Sequence, residues 1–202
     1  MPKKGSNILA LFDFDGTITS RDTLFLFLKF YKGRLVFFLN LIRLTPQFLL
    51  YKLGVIPNWR AKEILLTLFL YDEPIASFNE KCRIFTDQVL PTAIRQSAKT
   101  CILSHKNKQA RIVVVTASPE YWVRPWCEKE GIECIGTKLE VKNGRITGKI
   151  EGKNCYGNEK VVRIKNSILL KDYKKVIAYG DSKGDLPMLA IADQHHYKPF
   201  KK

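Results

Sequence analysis

The sequence has 202 residues, of which 46% are hydrophobic, and a formal net charge of +15 from 34 basic and 19 acidic residues. That length suits one ordinary domain or a core domain with a smaller insertion, and the hydrophobic content excludes a predominantly disordered chain. The positive charge favours an anionic partner, such as phosphate, nucleic acid or an acidic membrane surface, and carries no information about the fold.

The N-terminal segment MPKKGSNILALF is basic and then apolar, as secretion signals are. Because Asp13 and Asp15 interrupt the apolar run and no small-residue cleavage site follows, we interpret it as a short tail before the first strand. The five cysteines show no CxxC pair and no zinc spacing, which predicts reduced structural thiols in a cytosolic protein. The three histidines, His105, His195 and His196, also lack metal spacing, and we expect them at the surface or in the tail.

The first predicted strand, ILALF at residues 8–12, ends where Asp13 and Asp15 lie on either side of Phe14 and Gly16-Thr17 turns the chain. Flanking residues alternate in an extended strand, so both carboxylates are expected to project toward the same side. The alternative is a simple strand-to-turn cap, in which Asp and Gly are common.

Residues 20–88 contain no β-branched run and are predicted to form an inserted helical cap, because the segment is too long for a connection. The predicted core is then residues 1–19 and 89–202. The helical stretches of the cap are DTLFLFLKFYK, RLVFFLNLIRLTPQFLLYKLG, PNWRAKEILLTLFL and PIASFNEKCRIFTDQVL.

The first part of this cap has no acidic residue between Asp22 and Glu63, yet it contains seven basic and nine aromatic residues. Such a segment resembles an interfacial membrane binder, although its uncharged runs are too short to span a bilayer. The competing interpretation is that the apolar face packs inside the cap while the cations attract a negatively charged substrate. Nucleic-acid binding fits the composition as well, but no recognisable motif supports it.

Two further apolar runs predict buried strands, RIVVV at residues 111–115 and KVIAY at residues 175–179. Helical segments flank the first of them, which indicates a parallel α/β sheet whose ligand site lies at the carboxyl ends of the strands. Between these strands, residues 136–152 carry an Asn143-Gly144 turn between alternating runs, a strong hairpin signal.

Polar side chains follow each of the predicted parallel strands. Thr116, Ala117 and Ser118 come after the second strand, and Asp181 and Asp185 come after the third. Four carboxylates converging on one sheet edge would repel one another unless a cation lies among them, and an all-oxygen ligand set suits Mg²⁺. Together with the Thr116 hydroxyl and a downstream lysine, Lys160, the arrangement predicts phosphoryl transfer.

Several of these residues have structural interpretations that stay open at this point. Thr116 could be a helix N-cap, and Ser118, which precedes Pro119, could cap a helix or contact phosphate. Asp181 and Asp185 could cap a helix that begins near Leu186. Lys153 and Lys165 compete with Lys160, which the GxEK context favours.

In this order, DFDGTIT, VVVTAS, the downstream lysine and GDSKGD resemble the four motifs of the haloacid dehalogenase-like phosphatase superfamily. The helical insertion and the hairpin are similar to the phosphoserine-phosphatase-like branch, subfamily IB, and lean toward its phosphatidylglycerophosphatase-like members. The resemblance implies a three-layer, Rossmann-like parallel α/β core with an inserted helical cap.

The resemblance also implies roles for individual residues. Asp13 would be the nucleophile that forms an aspartyl-phosphate, and Asp15 the general acid and then base. Mg²⁺ would be held by Asp13, the Asp15 carbonyl and Asp181, with Asp185 reaching it through water. Thr116, with Ala117 and Ser118, and Lys160 would bind the phosphoryl group, and Lys160 would also temper the charge on Asp13.

We therefore expect a cytoplasmic, magnesium-dependent phosphomonoester phosphatase, peripheral to the inner face of the membrane if the cap contacts lipid. Asp15 favours an ester substrate, because the leaving oxygen needs a proton. The basic and apolar cap favours a lipid phosphate such as phosphatidylglycerophosphate over phosphoserine. The alternatives are a soluble small-molecule phosphatase, acting on phosphoserine or a sugar phosphate, and a membrane-surface binding protein with little activity.

Overall fold

The computed structural model describes residues 7–200, so most of the predicted N-terminal tail, residues 1–6, lies outside the described residues. The helices, labelled in chain order, are α1 (Thr23–Lys32), α2 (Arg34–Arg43), α3 (Thr45–Lys52), α4 (Asn58–Leu70), α5 (Ile75–Gln88), α6 (Gln96–Asn107), α7 (Glu120–Lys129), α8 (Asn158–Ser167) and α9 (Leu186–Ala190). None of the helices within residues 7–200 combines the length and the apolarity needed to cross a bilayer.

The strands within the described residues are β1 (Ile8–Phe12), β2 (Glu73–Pro74), β3 (Arg111–Pro119), β4 (Glu133–Lys142), β5 (Arg145–Glu151), β6 (Lys175–Gly180) and β7 (Gln194–Tyr197). These seven strands form one sheet in the order β2-β5-β4-β3-β1-β6-β7. Strands β4, β3, β1, β6 and β7 run parallel, while β5 and the short β2 join the other side of β4 in antiparallel pairing.

Helices cover both faces of this sheet, as the apolar run of β1 requires. Ala10 and Phe12 belong to one buried cluster, which includes residues of α1, α5, α6 and α7. Leu9 and Leu11 point to the opposite face and pack in a second cluster with residues of α8 and α9. Since alternate residues of a strand face opposite sides, a strand buried on both faces needs apolar residues throughout. The predicted three-layer, Rossmann-like α/β core is confirmed.

The segment predicted as a helical cap contains α1 to α5. The second predicted helix is divided at Leu44 into α2 and α3, because Pro46 occupies the first turn of α3, where its missing N–H costs nothing. The cap is not separate from the core in its packing, since Phe27 of α1 stacks on Trp122 of α7 with ring centroids 4.4 Å apart. The boundaries at residues 20 and 88 stay a prediction.

The hairpin prediction is confirmed, because β4 and β5 are joined by Asn143 and Gly144, both at positive φ as the tight turn demands. One edge strand, the four-residue β7 that pairs with β6, was not predicted from the sequence. All five cysteines are free thiols.

The expectation that His105 lies at the surface is wrong. This residue is buried on α6, with its Nε2 atom 2.8 Å from the Tyr179 hydroxyl. Its ring also contacts the ring of Phe12 edge-on, with centroids 5.9 Å apart. His105 is therefore part of the packing between α6 and the sheet.

Candidate active site

Asp13 and Asp15 follow β1, but the chain does not continue as a strand beyond Asp13. Residues Phe14–Ile18 form a wide helical turn in which Gly16 has a φ of +83°. The predicted strand alternation is therefore not what brings the two carboxylates into one site. The turn and the hydrogen bonds of Asp15 do so instead.

Gly16 is required at this turn for two separate reasons. Its positive φ is unfavourable for a residue with a Cβ atom, and a Cβ there would lie 2.5 Å from Oδ2 of Asp181. We expect Gly16→Ala to displace Asp181 and, if Asp181 serves as the predicted metal ligand, to lower turnover of a phosphate ester about 100-fold, the cost of misplacing a functional group by about 1 Å. Phosphate-release kinetics would measure this effect. Gly144→Ala is the matched control, because Gly144 shares the positive φ but has open space around it; an equal loss in both variants would contradict the steric argument.

The carboxylates of Asp13, Asp181 and Asp185 come together at the carboxyl ends of β1 and β6. Each offers an oxygen atom, and these oxygens all lie within 4.8 Å of one another. All three side chains are buried. The Asp181 carboxylate also accepts a hydrogen bond from the Thr17 hydroxyl at 3.3 Å. The structure thus brings these three predicted residues together at the carboxyl ends of the parallel strands.

Lys160, at the start of α8, lies against this carboxylate cluster and is only 1% exposed. Its Nζ atom donates to Oδ1 of Asp13 at 2.6 Å, to Oδ1 of Asp185 at 2.6 Å and to the carbonyl of Val115 at 2.7 Å. The competing lysines, Lys153 and Lys165, are exposed. Only Lys160 of the three therefore meets the carboxylates.

Burial and neighbouring charges together shift the pKa values of the cluster members in different directions. Burial raises the pKa of Asp13 to about 7, with Lys160 acting against the rise and Asp185 adding to it. Burial also acts to raise the pKa of Asp185, but Lys160 and Ser182 outweigh it and hold that pKa below its ordinary value. Burial disfavours the ammonium of Lys160, yet Asp13 and Asp185 outweigh burial and raise the Lys160 pKa.

The donor set of the cluster fits a magnesium ion. Mg²⁺ takes oxygen ligands, and here three buried carboxylates supply them. When ionised, the three carboxylates carry three negative charges, against which Lys160 sets one positive charge. A divalent cation would balance the excess, so Asp13, Asp181 and Asp185 are chemically compatible with this ion.

Asp185 also has a local structural role, but its side chain makes no cap hydrogen bond to α9, which is the helix that the capping alternative named. Its Oδ2 atom accepts from the Ser182 hydroxyl at 2.7 Å, the Ser182 amide at 2.9 Å and the Asp181 amide at 3.1 Å. Ser182 and Asp185 thereby form a capping box on the 3₁₀ turn that precedes α9. One carboxylate oxygen orients the loop while the other meets Lys160.

Asp15 is oriented by the first residue of α1, which the sequence analysis did not single out. The Thr23 amide and hydroxyl each donate to Oδ1 of Asp15 at 2.6 Å. The Trp122 indole N–H donates in turn to the Thr23 hydroxyl at 3.2 Å. The Asp15 carboxylate is thus fixed from the cap side of the site.

Thr116, Ala117 and Ser118 belong to the last part of β3, and none of them caps a helix. The N-cap of α7 is Pro119, so the capping alternatives for Thr116 and Ser118 do not hold. The Thr116 hydroxyl lies 3.4 Å from Oδ2 of Asp15 and accepts from the Ser118 amide at 2.9 Å. The Ser118 hydroxyl lies 3.4 Å from that of Thr23. The Thr116 hydroxyl therefore contacts Asp15 directly, whereas the Ser118 hydroxyl is connected to Asp15 through Thr23.

Lys62 of α4 is a further cation near the carboxyl ends of the strands, and nothing in the sequence separated it from the other six basic residues between Asp22 and Glu63. Its ammonium donates to the carbonyl of Ala117 and, at 3.1 Å, to Oδ1 of Asn154. Burial lowers the pKa of Lys62 to about 8, although Asp15 and Asp22 act to raise it. The site thus receives a second lysine, from the cap.

A cavity of about 480 Å³ opens beside Lys62, between α4 and the segment from β5 to α8. Its walls include Trp59 and Glu63 of the cap and Ile150, Asn154 and Tyr156 of the opposite side. Asn154 belongs to both the cavity wall and the hydrogen-bond partners of Lys62. The cavity therefore adjoins the Lys62 side of the site.

Comparison with known sequences identifies relatives of this chain. It is 35% identical to the protein CicA of Caulobacter vibrioides over 196 residues, which cover 96% of this chain and 87% of that protein. It is 29% identical to a histidinol-phosphatase of Neisseria meningitidis over 129 residues, which cover 60% of this chain and 57% of that enzyme. A sequence model of the haloacid dehalogenase-like hydrolases matches residues 10–190.

Solved structures share the fold. A protein of unknown function from Bordetella pertussis superposes with a TM-score of 0.81 at 24% identity, covering 94% of this chain and 89% of that one. A phosphoserine phosphatase with an analogue of its phospho-aspartyl intermediate superposes with a TM-score of 0.61 at 22% identity, covering 95% and 86%. The residues that the family model matches, 10–190, include Asp13, Lys160 and Asp185. The phosphatases among the relatives support the assignment of this chain as a phosphoric monoester hydrolase. The chain belongs to the haloacid dehalogenase-like hydrolase family.

Proposed function

We propose that the protein is a magnesium-dependent phosphomonoester phosphatase that acts through an aspartyl-phosphate on Asp13. The observation that carries this proposal is the buried group of three carboxylates around Lys160, with Asp15 beside it. Phosphoryl transfer needs positive charge around the transferring group and a positioned proton donor for the leaving oxygen. The site supplies candidates for both.

In the proposed reaction, a carboxylate oxygen of Asp13 attacks phosphorus and the bond from phosphorus to the ester oxygen breaks. Asp15 gives its proton to the departing oxygen, which leaves as an alcohol. Asp15 then takes a proton from water as that water attacks the aspartyl-phosphate, which releases inorganic phosphate and restores Asp13. Thr23, which donates twice to Oδ1 of Asp15, holds this carboxylate in position.

Asp13 and Asp181 would hold the magnesium ion directly, with the Asp15 carbonyl, and Asp185 would reach it through water. When bound, the ion supplies positive charge that stabilises the transferring phosphoryl group. Thr116, Ala117 and Ser118 are the proposed phosphoryl-binding residues of β3. Lys160 already donates to three acceptors, which occupy its three N–H groups, so contact with phosphate requires it to release one of them.

For the substrate, we propose a phosphate ester with an apolar part, such as the lipid phosphate phosphatidylglycerophosphate. The absence of acidic residues between Asp22 and Glu63 and the apolar composition of that segment support this choice. The protein would then work in the cytoplasm, at the inner face of the membrane, where five free thiols stay reduced. A soluble substrate is the second candidate, because histidinol-phosphatase and phosphoserine phosphatase are among the relatives.

Phosphate release tests the proposal, with para-nitrophenyl phosphate as a general ester and Mg²⁺ added or removed with a chelator. Magnesium-dependent turnover is the expected result, and equal turnover without the ion would contradict the metal assignment. A panel containing phosphatidylglycerophosphate, phosphoserine, histidinol phosphate and sugar phosphates then separates the substrate candidates. Preference for a soluble ester would overturn the lipid choice and leave the phosphatase assignment intact.

The lowered pKa of Lys62 predicts how the proposed phosphatase activity depends on pH. Its pKa of about 8 means that it is charged below that pH and neutral above it. If the charge attracts the substrate phosphate, kcat/KM should fall as the pH rises through about 8. Lys62→Gln should lower kcat/KM about 10- to 100-fold at pH 7, the value of a hydrogen bond to a charged group, and should remove this alkaline limb.

Lys62→Arg should keep the activity at pH 7 and move the limb to higher pH, since arginine stays charged. Lys99→Gln is the matched control, because Lys99 is an exposed lysine on α6. An unchanged pH profile in Lys62→Gln would show that Lys62 does not act on the substrate.

A further inference from the structure

Helices α2 and α3 expose most of their apolar side chains to solvent. Leu35 of α2 is 74% exposed, Ile42 of the same helix is 69% exposed, and Leu53, just after α3, is 67% exposed. Within the two helices, Phe37 is the only residue that is buried. We call this face, residues 34–55, the α2–α3 surface.

The arrangement on α2 is opposite to that of an ordinary surface helix. Leu35, Leu39 and Ile42 follow the i, i+4, i+7 spacing that places side chains on one helix face. Such a stripe normally faces the core, whereas here it faces solvent. A contiguous exposed apolar patch of this kind marks a surface that interacts with another molecule or with a membrane.

The charges on the α2–α3 surface are all of one sign. Arg34, Arg43 and Lys52 are exposed on it, and no acidic residue occurs between Asp22 and Glu63. A second copy of the chain would place these cations against their own equivalents, and like charges across an interface are unfavourable. An occupant that matches both the exposed apolar side chains and the positive charge of this surface has an apolar interior and a negatively charged exterior.

From this combination, we infer that the α2–α3 surface docks on an anionic phospholipid bilayer. The two helices lie in the plane of the interface, with Leu35, Leu39 and Ile42 inserted at the boundary between headgroups and acyl chains. Arg34, Arg43 and Lys52 contact lipid phosphates, and each cation near the surface adds to the attraction. The docking is interfacial, which agrees with the lack of a helix able to cross the bilayer within residues 7–200.

The place of this surface in the chain connects it to the candidate site. It joins α1, whose Thr23 holds Asp15, to α4, whose Lys62 contacts Ala117. Docking would therefore hold α1 and α4, the two cap helices that contribute residues to the site, at the membrane. The docking itself is independent of catalysis, whereas its use for a lipid substrate rests on the proposed function.

Vesicle flotation tests the docking directly. We expect the whole protein to float with phosphatidylcholine vesicles that contain 30 mol% phosphatidylglycerol, at least about tenfold more strongly than with pure phosphatidylcholine. High salt should weaken the binding. The triple variant Leu35→Ser/Leu39→Ser/Ile42→Ser and the triple variant Arg34→Gln/Arg43→Gln/Lys52→Gln should each lose most of it.

The matched control removes exposed apolar side chains elsewhere, in Leu103→Ser/Val162→Ser/Leu169→Ser, and should bind vesicles as the wild type does. Turnover of para-nitrophenyl phosphate without vesicles should be equal in all these proteins, which separates failure of docking from failure of the proposed function. Equal partitioning onto both vesicle types, or no binding at all, would overturn the inference. So would a dimer in solution, measured by light scattering, that the leucine and isoleucine substitutions dissociate.

Discussion

Asp13→Asn is expected to reduce magnesium-dependent phosphate release by about 10³-fold or more, the largest effect of any single substitution in the site. An amide is a poor nucleophile toward phosphorus, and asparagine removes a charged acceptor from Lys160, whose Nζ atom lies 2.6 Å from Oδ1 of Asp13. Steady-state phosphate release measures the loss. Acid quenching with a ³²P-labelled ester should trap label on the wild-type protein and none on the variant.

Asp172→Asn provides the matched control, because Asp172 is an exposed carboxylate that precedes β6, whereas Asp181 of the cluster follows the opposite end of that strand. It should retain wild-type turnover. Circular dichroism should show the same helical content in both variants, so that loss of folding does not explain the result. Retention of more than about a tenth of the activity by Asp13→Asn would exclude Asp13 as the nucleophile.

Lys160→Met is expected to lower the free energy of unfolding by about 3–5 kcal/mol in the presence of a chelator. Methionine is similar in length but leaves Asp13 and Asp185 buried beside each other without the ammonium that both contact. Removing one partner of a buried ion pair costs more than the pair contributes, because the remaining charges stay desolvated. Urea denaturation measures the change.

Mg²⁺ should restore part of this stability, since a bound cation stabilises only the folded state. The matched control is Lys165→Met, on the same helix α8 but exposed, which should change the free energy of unfolding by no more than about 0.5 kcal/mol. If the two variants unfolded at the same urea concentration, the buried ion pairs of Lys160 would contribute nothing to stability.

Most of the core could be predicted from sequence because its signals are local. The runs ILALF, RIVVV and KVIAY are apolar throughout, which is typical of strands buried on both faces, and polar residues follow each run. Their convergence then follows from the geometry of a parallel sheet. The cluster of Asp13, Asp181 and Asp185 can therefore be predicted from the sequence alone.

The residues that sequence reasoning missed depend on long-range packing. Thr23 is one of several threonines and Lys62 one of seven basic residues in its segment, and neither stands in a distinctive pattern. Their partners, Asp15 and Ala117, lie 8 and 55 positions away in the chain. The burial of His105 has the same origin, since it depends on contact with Tyr179, 74 positions away.

The order of the bonds around Thr23 has a consequence for how the site can open. Trp122 of α7 donates to the Thr23 hydroxyl and stacks on Phe27, so one core side chain holds the first two turns of α1. A movement that separates α1 from α7 would break this clamp and release the Asp15 carboxylate at the same moment. Asp15 is the proposed general acid, so close packing of α1 on α7 would be a condition for the proposed proton transfer, and loosening of this one helix contact would lower activity without any change in the carboxylate cluster itself.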